Sequence, residues 1–467
     1  MREGPPADDP AAENPAADDP AAEDRAADDP AGAAHGAAIA VEASTAPSSG
    51  RRLPYGLRAF SHRNFRLFWG GQLVSLAGTW MQQVGQAWLV LELTNDPLAL
   101  GIVAAAQFAP VLVLGLFAGL VADAFAKRAA LLWTQLAAAG LAVVLGLLVF
   151  SDQVQVWHVY LLAPGLGVVN AFDMPIRQAF VVELVGRRDV ANAVALNSAV
   201  FNGTRIIGPA IAGLLIASIG LAPLFLLNAA SYLAVVVGLM LMRTAELVAP
   251  TERAVVKRSV RAVMGQLAEG LHYVRATRPI LLAISVLGVV ATVALNFQVL
   301  IPVLARDVFG GQADLFGFLM AASGFGSLVA SLAIAFGQRP TLRLLLFGAT
   351  AIGVGLIGLA ASRFVPLSLV LMFVAGWGVI AMAATTNTII QLTVPDVLRG
   401  RVMSVYTTVF AGSVPIGGLF AGSIAAAAGV PAALAAGGVL ALVTALAGAV
   451  ALRRGGSPER AGGHLAA

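Results

Sequence analysis

Two side chains able to carry charge lie deep inside apolar stretches of this 467-residue chain, Asp173 and Arg205. A buried acid that can exchange such a base for a proton is able to couple protonation to a conformational cycle. Arg205 stands about 15 residues into its apolar run, which at ~1.5 Å rise per helical residue is near the middle of a bilayer. A charge there costs at least ~2.5–3.5 kcal/mol, so it must face protein or a wet cavity and find a partner. Asp173 is the expected partner, trading Arg205 for a proton during a working cycle. Two plainer readings stand beside that one: a permanent structural pair, or an Asp173 that only orders its own helix end through Arg177.

Amides and hydroxyls recur in the same kind of apolar run. Gln72, Gln83 and Gln86 fall at spacings of eleven and three, close to one helical face, with Thr79 near it. Asn296 and Gln298 sit in a later run, and Thr385, Asn387, Thr388 and Gln391 form a polar patch in another. Such groups either contact a small molecule or water, or hydrogen-bond one helix to the next. Trp80, Trp88, Phe297 and Trp377 offer aromatic surface to a hydrophobic ligand, though packing and interfacial roles are as common.

Other chemistries are excluded or unsupported. There is no cysteine, hence no disulfide, zinc–thiolate site, iron–sulfur cluster or thiol nucleophile. The histidines, His35, His62, His158, His272 and His464, show no pair with metal-ligand spacing, so no metal or other cofactor is expected. Lys127 and Lys257 are the two lysines, and neither follows a glycine, so there is no G-x-x-x-x-G-K-[ST] phosphate loop. The net charge of +4 comes from basic residues scattered through loops, which argues against a nucleic-acid partner. No serine, histidine and carboxylate constellation falls within the apolar runs, so an enzyme is not expected.

The elements that must position these groups follow from composition. With 58% hydrophobic and 12% charged residues and a mean hydropathy of +0.84, polar surface is too scarce to cover a soluble globule, and lipid must be the solvent. Apolar runs near 65–93, 98–122, 129–150, 157–182, 191–217, 222–243, 279–305, 313–337, 342–362, 366–391, 400–426 and 430–452 are each long enough to cross ~30 Å of hydrocarbon. In lipid each must be helical, because no water satisfies an open backbone. The expected fold is therefore an all-α membrane protein of twelve transmembrane helices in two pseudo-symmetric six-helix bundles, at 51–243 and 279–453.

Residues 1–50 repeat an Asp-Asp-Pro theme with a period of ten and have nothing to bury, so they read as a disordered acidic tail, as does 454–467. The N-terminal stretch lacks the basic start and apolar core of a cleaved signal peptide. Arginines and lysines crowd one set of loops, as at Lys127 and Arg128, Arg187 and Arg188, and Arg399 and Arg401, against only Arg306 and Arg363 on the other. By the positive-inside rule both termini are cytoplasmic, in a multi-pass protein of the plasma (inner) membrane. The longest break, 244–278, carries Val256, Val260, Val263, Leu267 and Leu271 at three- and four-residue steps, the pattern of an amphipathic linker helix on the inner surface. Adding 209 to positions in the fifth span pairs Gly203 with Gly412, Gly208 with Gly417, Gly213 with Gly422 and Gly220 with Gly429. The fifth and eleventh spans are thus counterparts in parallel repeats, with substrate expected between the halves near the midplane.

Two motifs carry a resemblance. Gly119-x-x-x-Asp123-x-x-x-Lys127-Arg128, between the second and third spans, resembles the signature loop of the major facilitator superfamily, with Ala124 and Ala126 where a basic residue and a turn glycine are usual. An ordinary acidic-basic turn is the alternative. A longer run, from Asp173-Met174-Pro175-Ile176-Arg177-Gln178 through Asn202-x-x-Arg205 to Gly208-Pro209-Ala210-x-x-Gly213, resembles the branch of that superfamily holding the enterobactin exporter and macrolide-drug efflux proteins. The resemblance implies spans 1, 4, 7 and 10 around a central cavity, a monomer, and export of small amphiphilic molecules in exchange for protons. An importer or uniporter of a small metabolite on the same fold is the runner-up. Gly208, Pro209 and Gly213 resemble the glycine-proline motif of superfamily antiporters, and physically give a smooth, bent face suited either to a rocking interface or to plain packing.

Overall fold

The computed structural model describes residues 54–248, 260–337 and 340–454, and within them the regular structure is helical. The two tails expected to be disordered, and residues 249–259 of the linker, fall outside these residues apart from Arg454. The helices are α1 (Arg63–Thr94), α2 (Pro97–Ala124), α3 (Lys127–Phe150), α4 (Val156–Ile219), α5 (Leu221–Met240), α6 (Val260–Ala276), α7 (Arg278–Ala294), α8 (Phe297–Val303), α9 (Ala313–Ala335), α10 (Leu342–Ala361), α11 (Val365–Thr393), α12 (Asp396–Ala428) and α13 (Val430–Arg454). Ten helical stretches among the described residues are long and apolar enough to cross a membrane. The expected span near 65–93 is not among those ten, because four glutamines, Gln72, Gln82, Gln83 and Gln86, dilute the hydropathy of α1.

Two features depart from the expected layout. The break expected between 182 and 191 is not a loop: α4 runs through it for 64 residues and turns a corner at Gly186, whose φ of 70° and ψ of 172° lie where L side chains rarely go. The carbonyl of Glu183 that the corner frees accepts the backbone N–H of Val248 at 2.9 Å, so the end of the first arm is capped by the segment following α5. The run expected over 279–305 is interrupted instead. Leu295 and Asn296 leave helical geometry with ψ of 34° and 41°, α8 restarts at Phe297, and a π-turn over Leu304–Val308 closes it.

Packing sorts the helices into two groups. α1, α3, α4 and α5 pack on one another, and α7, α10, α11 and α13 do likewise, with α9 against α11. Two seams join them, α4 against α9 and α12 against α2, and both are cut from glycine. A Cβ on Gly213 would lie 2.7 Å from the Ala313 carbonyl oxygen, and one on Gly317 would lie 2.3 Å from that of Pro209. In the other seam a Cβ on Gly422 would lie 2.8 Å from the Pro97 oxygen, and one on Gly101 would lie 2.3 Å from that of Gly418. Backbones touch there because no side chain intervenes. The pairs related by 209 residues therefore do equivalent work: Gly213 and Gly422 form the seams, while Gly208 meets α1 at Trp80 and Gly417 meets α7 at Thr292.

Candidate transport site

Asp173 lies 7% exposed in the first arm of α4 and is held from two helices. One oxygen accepts hydrogen bonds from Thr134 Oγ1 at 2.7 Å and Gln135 Nε2 at 2.8 Å, both from α3. The other accepts from Arg177 Nε at 2.8 Å and pairs with its second nitrogen at 2.7 Å. Helical spacing puts residues i and i+4 on one face, so Arg177 reaches Asp173 with little chain to order. The guanidinium also lies over the Phe68 ring of α1, 5.9 Å from its centroid. Four donor contacts suit an ionised carboxylate, and a proton there would set a donor against donors.

Arg205 is not the partner of Asp173 in this conformation. It sits in the second arm of α4, half-buried, with its guanidinium 5.9 Å from the centre of the Trp80 ring. Trp80 in turn meets Phe201 edge-on, centroids 5.7 Å apart. The two charges expected to trade places are thus engaged separately, because the acid found a closer base on its own helix.

Three further contacts tie the two groups of helices together near the Thr94 end of α1. Gln298 Nε2 donates to Gln83 Oε1 at 2.5 Å, and Trp88 stacks on Phe316 of α9 with centroids 6.5 Å apart. Arg306 donates to the Leu91 carbonyl at 3.0 Å and also to Asn95 Oδ1. At the opposite end α4 is open: on the side of the helix that carries Arg205, Phe201 is 44% and Val194 53% exposed. Among the described residues the ion pairs at this end stay within one group or the other, Lys127 with Glu183 at 2.6 Å and His62 with Asp189 at 3.0 Å in the first and Arg401 with Glu269 in the second, while Arg128 caps the carbonyls of Leu239 and Met240.

The remaining polar groups divide. Gln86 bonds Gln107 of α2 at 3.1 Å and is buried, as is Gln72. Asn296 fills the break before α8, where its amide nitrogen donates to the Thr292 carbonyl at 2.8 Å. A Cβ on Gly417 would lie 2.7 Å from the Asn296 amide oxygen. Thr385 is fully buried with its hydroxyl unpaired, and Asn387 accepts from Gln391 at 2.6 Å along α11. Of these groups, Gln83 alone reaches across the two halves. The surroundings of Gly119 and the side chain of Asp123 lie outside what the structure describes, while Lys127 of the same motif bonds Glu183.

Several working residues carried no warning in the sequence. Thr134 and Gln135 lie 39 and 38 residues from the acid they hold, in an otherwise apolar run. Gln82 and Asn228 form a buried pair between α1 and α5, over Gly78, with Ser231 donating to Asn228. A polar residue in an apolar run was the available signal, and it does not say which helix answers it.

Two groups of apolar helices joined along glycine seams, with amides and an ion pair buried among them, form an architecture that membrane transporters use. A family profile described as transmembrane secretion effector, of the major facilitator superfamily, matches residues 55–461, and the chain belongs to that family. It is 27% identical over 365 residues to the staphyloferrin A transporter of Staphylococcus aureus, covering 76% of this chain and 87% of that protein. It is 31% identical over 368 residues to the multidrug efflux pump Tap of Mycolicibacterium fortuitum, covering 76% and 88%. Among solved structures, the nucleoside transporter NupG matches with a TM-score of 0.67 at 11% identity over 84% of this chain and 99% of that one, which shows a shared fold. The relatives are transporters rather than enzymes.

Proposed function

We propose that the chain exports small amphiphilic molecules, of drug or siderophore kind, across the plasma (inner) membrane by alternating access coupled to proton antiport. The names of its relatives support export of such molecules. The observation that carries the coupling is the Asp173 cluster, where an acid buried among the described membrane helices clamps α3 to α4 through Arg177, Thr134 and Gln135. A proton on Asp173 releases Arg177 and loosens that clamp, so charge state is linked to how the helices of the first bundle pack.

In this reading the chain crosses twelve times and works as a monomer. At ~1.5 Å per residue, α4 would be about three bilayers long if straight, so it crosses twice about Gly186, and α1 makes the remaining span. The crowded basic loops support a cytoplasmic position for both termini and the linker. The Gln83–Gln298 end then faces outward and the space beside Arg205 opens inward.

The test is transport in inverted vesicles energised to acidify their interior. Accumulation of a dye or drug that an uncoupler abolishes supports the reading, and Asp173→Asn is expected to lose that accumulation. Accumulation indifferent to the uncoupler removes the antiport, and depletion of preloaded substrate in its place makes the chain an importer.

A further inference from the structure

We infer that Arg205 is an anion-binding group in the space between the bundles, taking the carboxylate or other acidic group of the transported molecule while Trp80 and Phe201 receive its apolar body. The inference rests on the transport reading above and narrows it to a substrate class.

The charge of Arg205 is unanswered within the described residues. An arginine carries five donors and does not deprotonate in proteins, so at membrane depth its charge must be met by something. Among the described residues the ion pairs are made by other basic groups, and Arg205 joins none of them. No oxygen of the described residues accepts a hydrogen bond from its guanidinium, which lies against the Trp80 face. Asp173, the acid best placed by depth, has both oxygens occupied. Fourteen residues separate Arg205 from the end of α4 at Ile219, about 21 Å of helix, too far for its head to reach the surface at that end by bending, so whatever meets its charge comes through the space that opens inward.

The direction of the side chain is fixed by the helix that carries it. At ~100° per residue Arg205 projects between Gly208, which meets α1, and Pro209, whose carbonyl meets Gly317 of α9. Ile207, Ile211 and Leu214, all exposed and apolar, take the other side, the one suited to lipid. The guanidinium therefore points to the gap between the two bundles, one turn deeper than Phe201. Trp80 covers one face of the guanidinium and leaves its edge, where the fork of N–H groups matches a carboxylate in bidentate fashion. The pair of rings beside it suits a flat apolar ligand body.

The experiment reads binding apart from transport. The purified full-length chain in detergent is titrated with pairs of aryl carboxylic acids and their uncharged amides, following quenching of tryptophan fluorescence. A Trp80→Phe variant identifies the signal that comes from the site. In the unaltered chain at least one acid is expected to bind ten-fold or more tightly than its amide. Arg205→Gln should bring the two within two-fold, and Arg205→Lys, which keeps charge but not the fork, should retain part of the difference. Equal binding of acid and amide across the panel overturns the inference, as does a preference that survives in Arg205→Gln. Displacement of the acid by millimolar chloride or phosphate would make this an inorganic-anion site and equally overturn it. Failure of vesicle transport with acid-selective binding intact would sink the export reading alone.

Discussion

At Asp173 the competition between two bases is settled by geometry. A base four residues along the same helix needs only one side chain ordered, whereas Arg205 on the second arm would have to be brought across the Gly186 corner. The cost of breaking a buried pair falls on what is left behind. Asp173→Asn leaves the half-buried Arg177 without countercharge, with an expected loss of about 3 kcal/mol of stability. Thermal unfolding in detergent checks it, and the double variant with Arg177→Gln should recover much of the loss. Arg177 was legible as an i+4 neighbour. Thr134 and Gln135 were not, because which face of α3 meets α4 is decided by packing that a single sequence does not display.

Among the elements, the long apolar runs were legible because lipid leaves the backbone no alternative to a helix. Their interruptions were not. The Gly186-Arg187-Arg188 stretch has the polarity of a loop, yet a single glycine with positive φ turns the chain and the helix resumes. Gly186→Ala is expected to cost roughly 1–3 kcal/mol from backbone strain alone, measurable as a lower unfolding midpoint with the fold otherwise kept. The opposite surprise came near Asn296, where no glycine or proline announces that the helix stops. A polar residue set against Gly417 ends it there, and only the structure puts that glycine opposite.

Across the molecule, the 209-residue offset was the most productive sequence reading, since it paired glycines that turn out to occupy equivalent seams. Those seams make a quantitative claim about the conformation seen here. A valine at Gly213 or at Gly422 would drive a Cβ to within 2.7 Å or 2.8 Å of backbone oxygen across the junction, so the bundles must part. Either substitution is expected to weaken the closed end and to cut transport at least ten-fold while the protein still folds. A cysteine placed at Thr94 should then label faster from that side, and the chain has no cysteine of its own to confuse the reading. Similar effects from the two valines would support equivalent roles; a change confined to one would deny it.

The interruption at Leu295 and Asn296 makes the two halves mechanically unlike. α1 runs 32 residues without a break, a stiff rod, whereas the stretch from α7 to α8 is a jointed arm whose Leu295 amide hangs on a hydrogen bond of 3.4 Å. Thermal motion collects at joints. Backbone hydrogen exchange is therefore expected to be faster at residues 295–297 than around Gln83, and in the alternating access proposed above the second bundle, not the first, should set the pace.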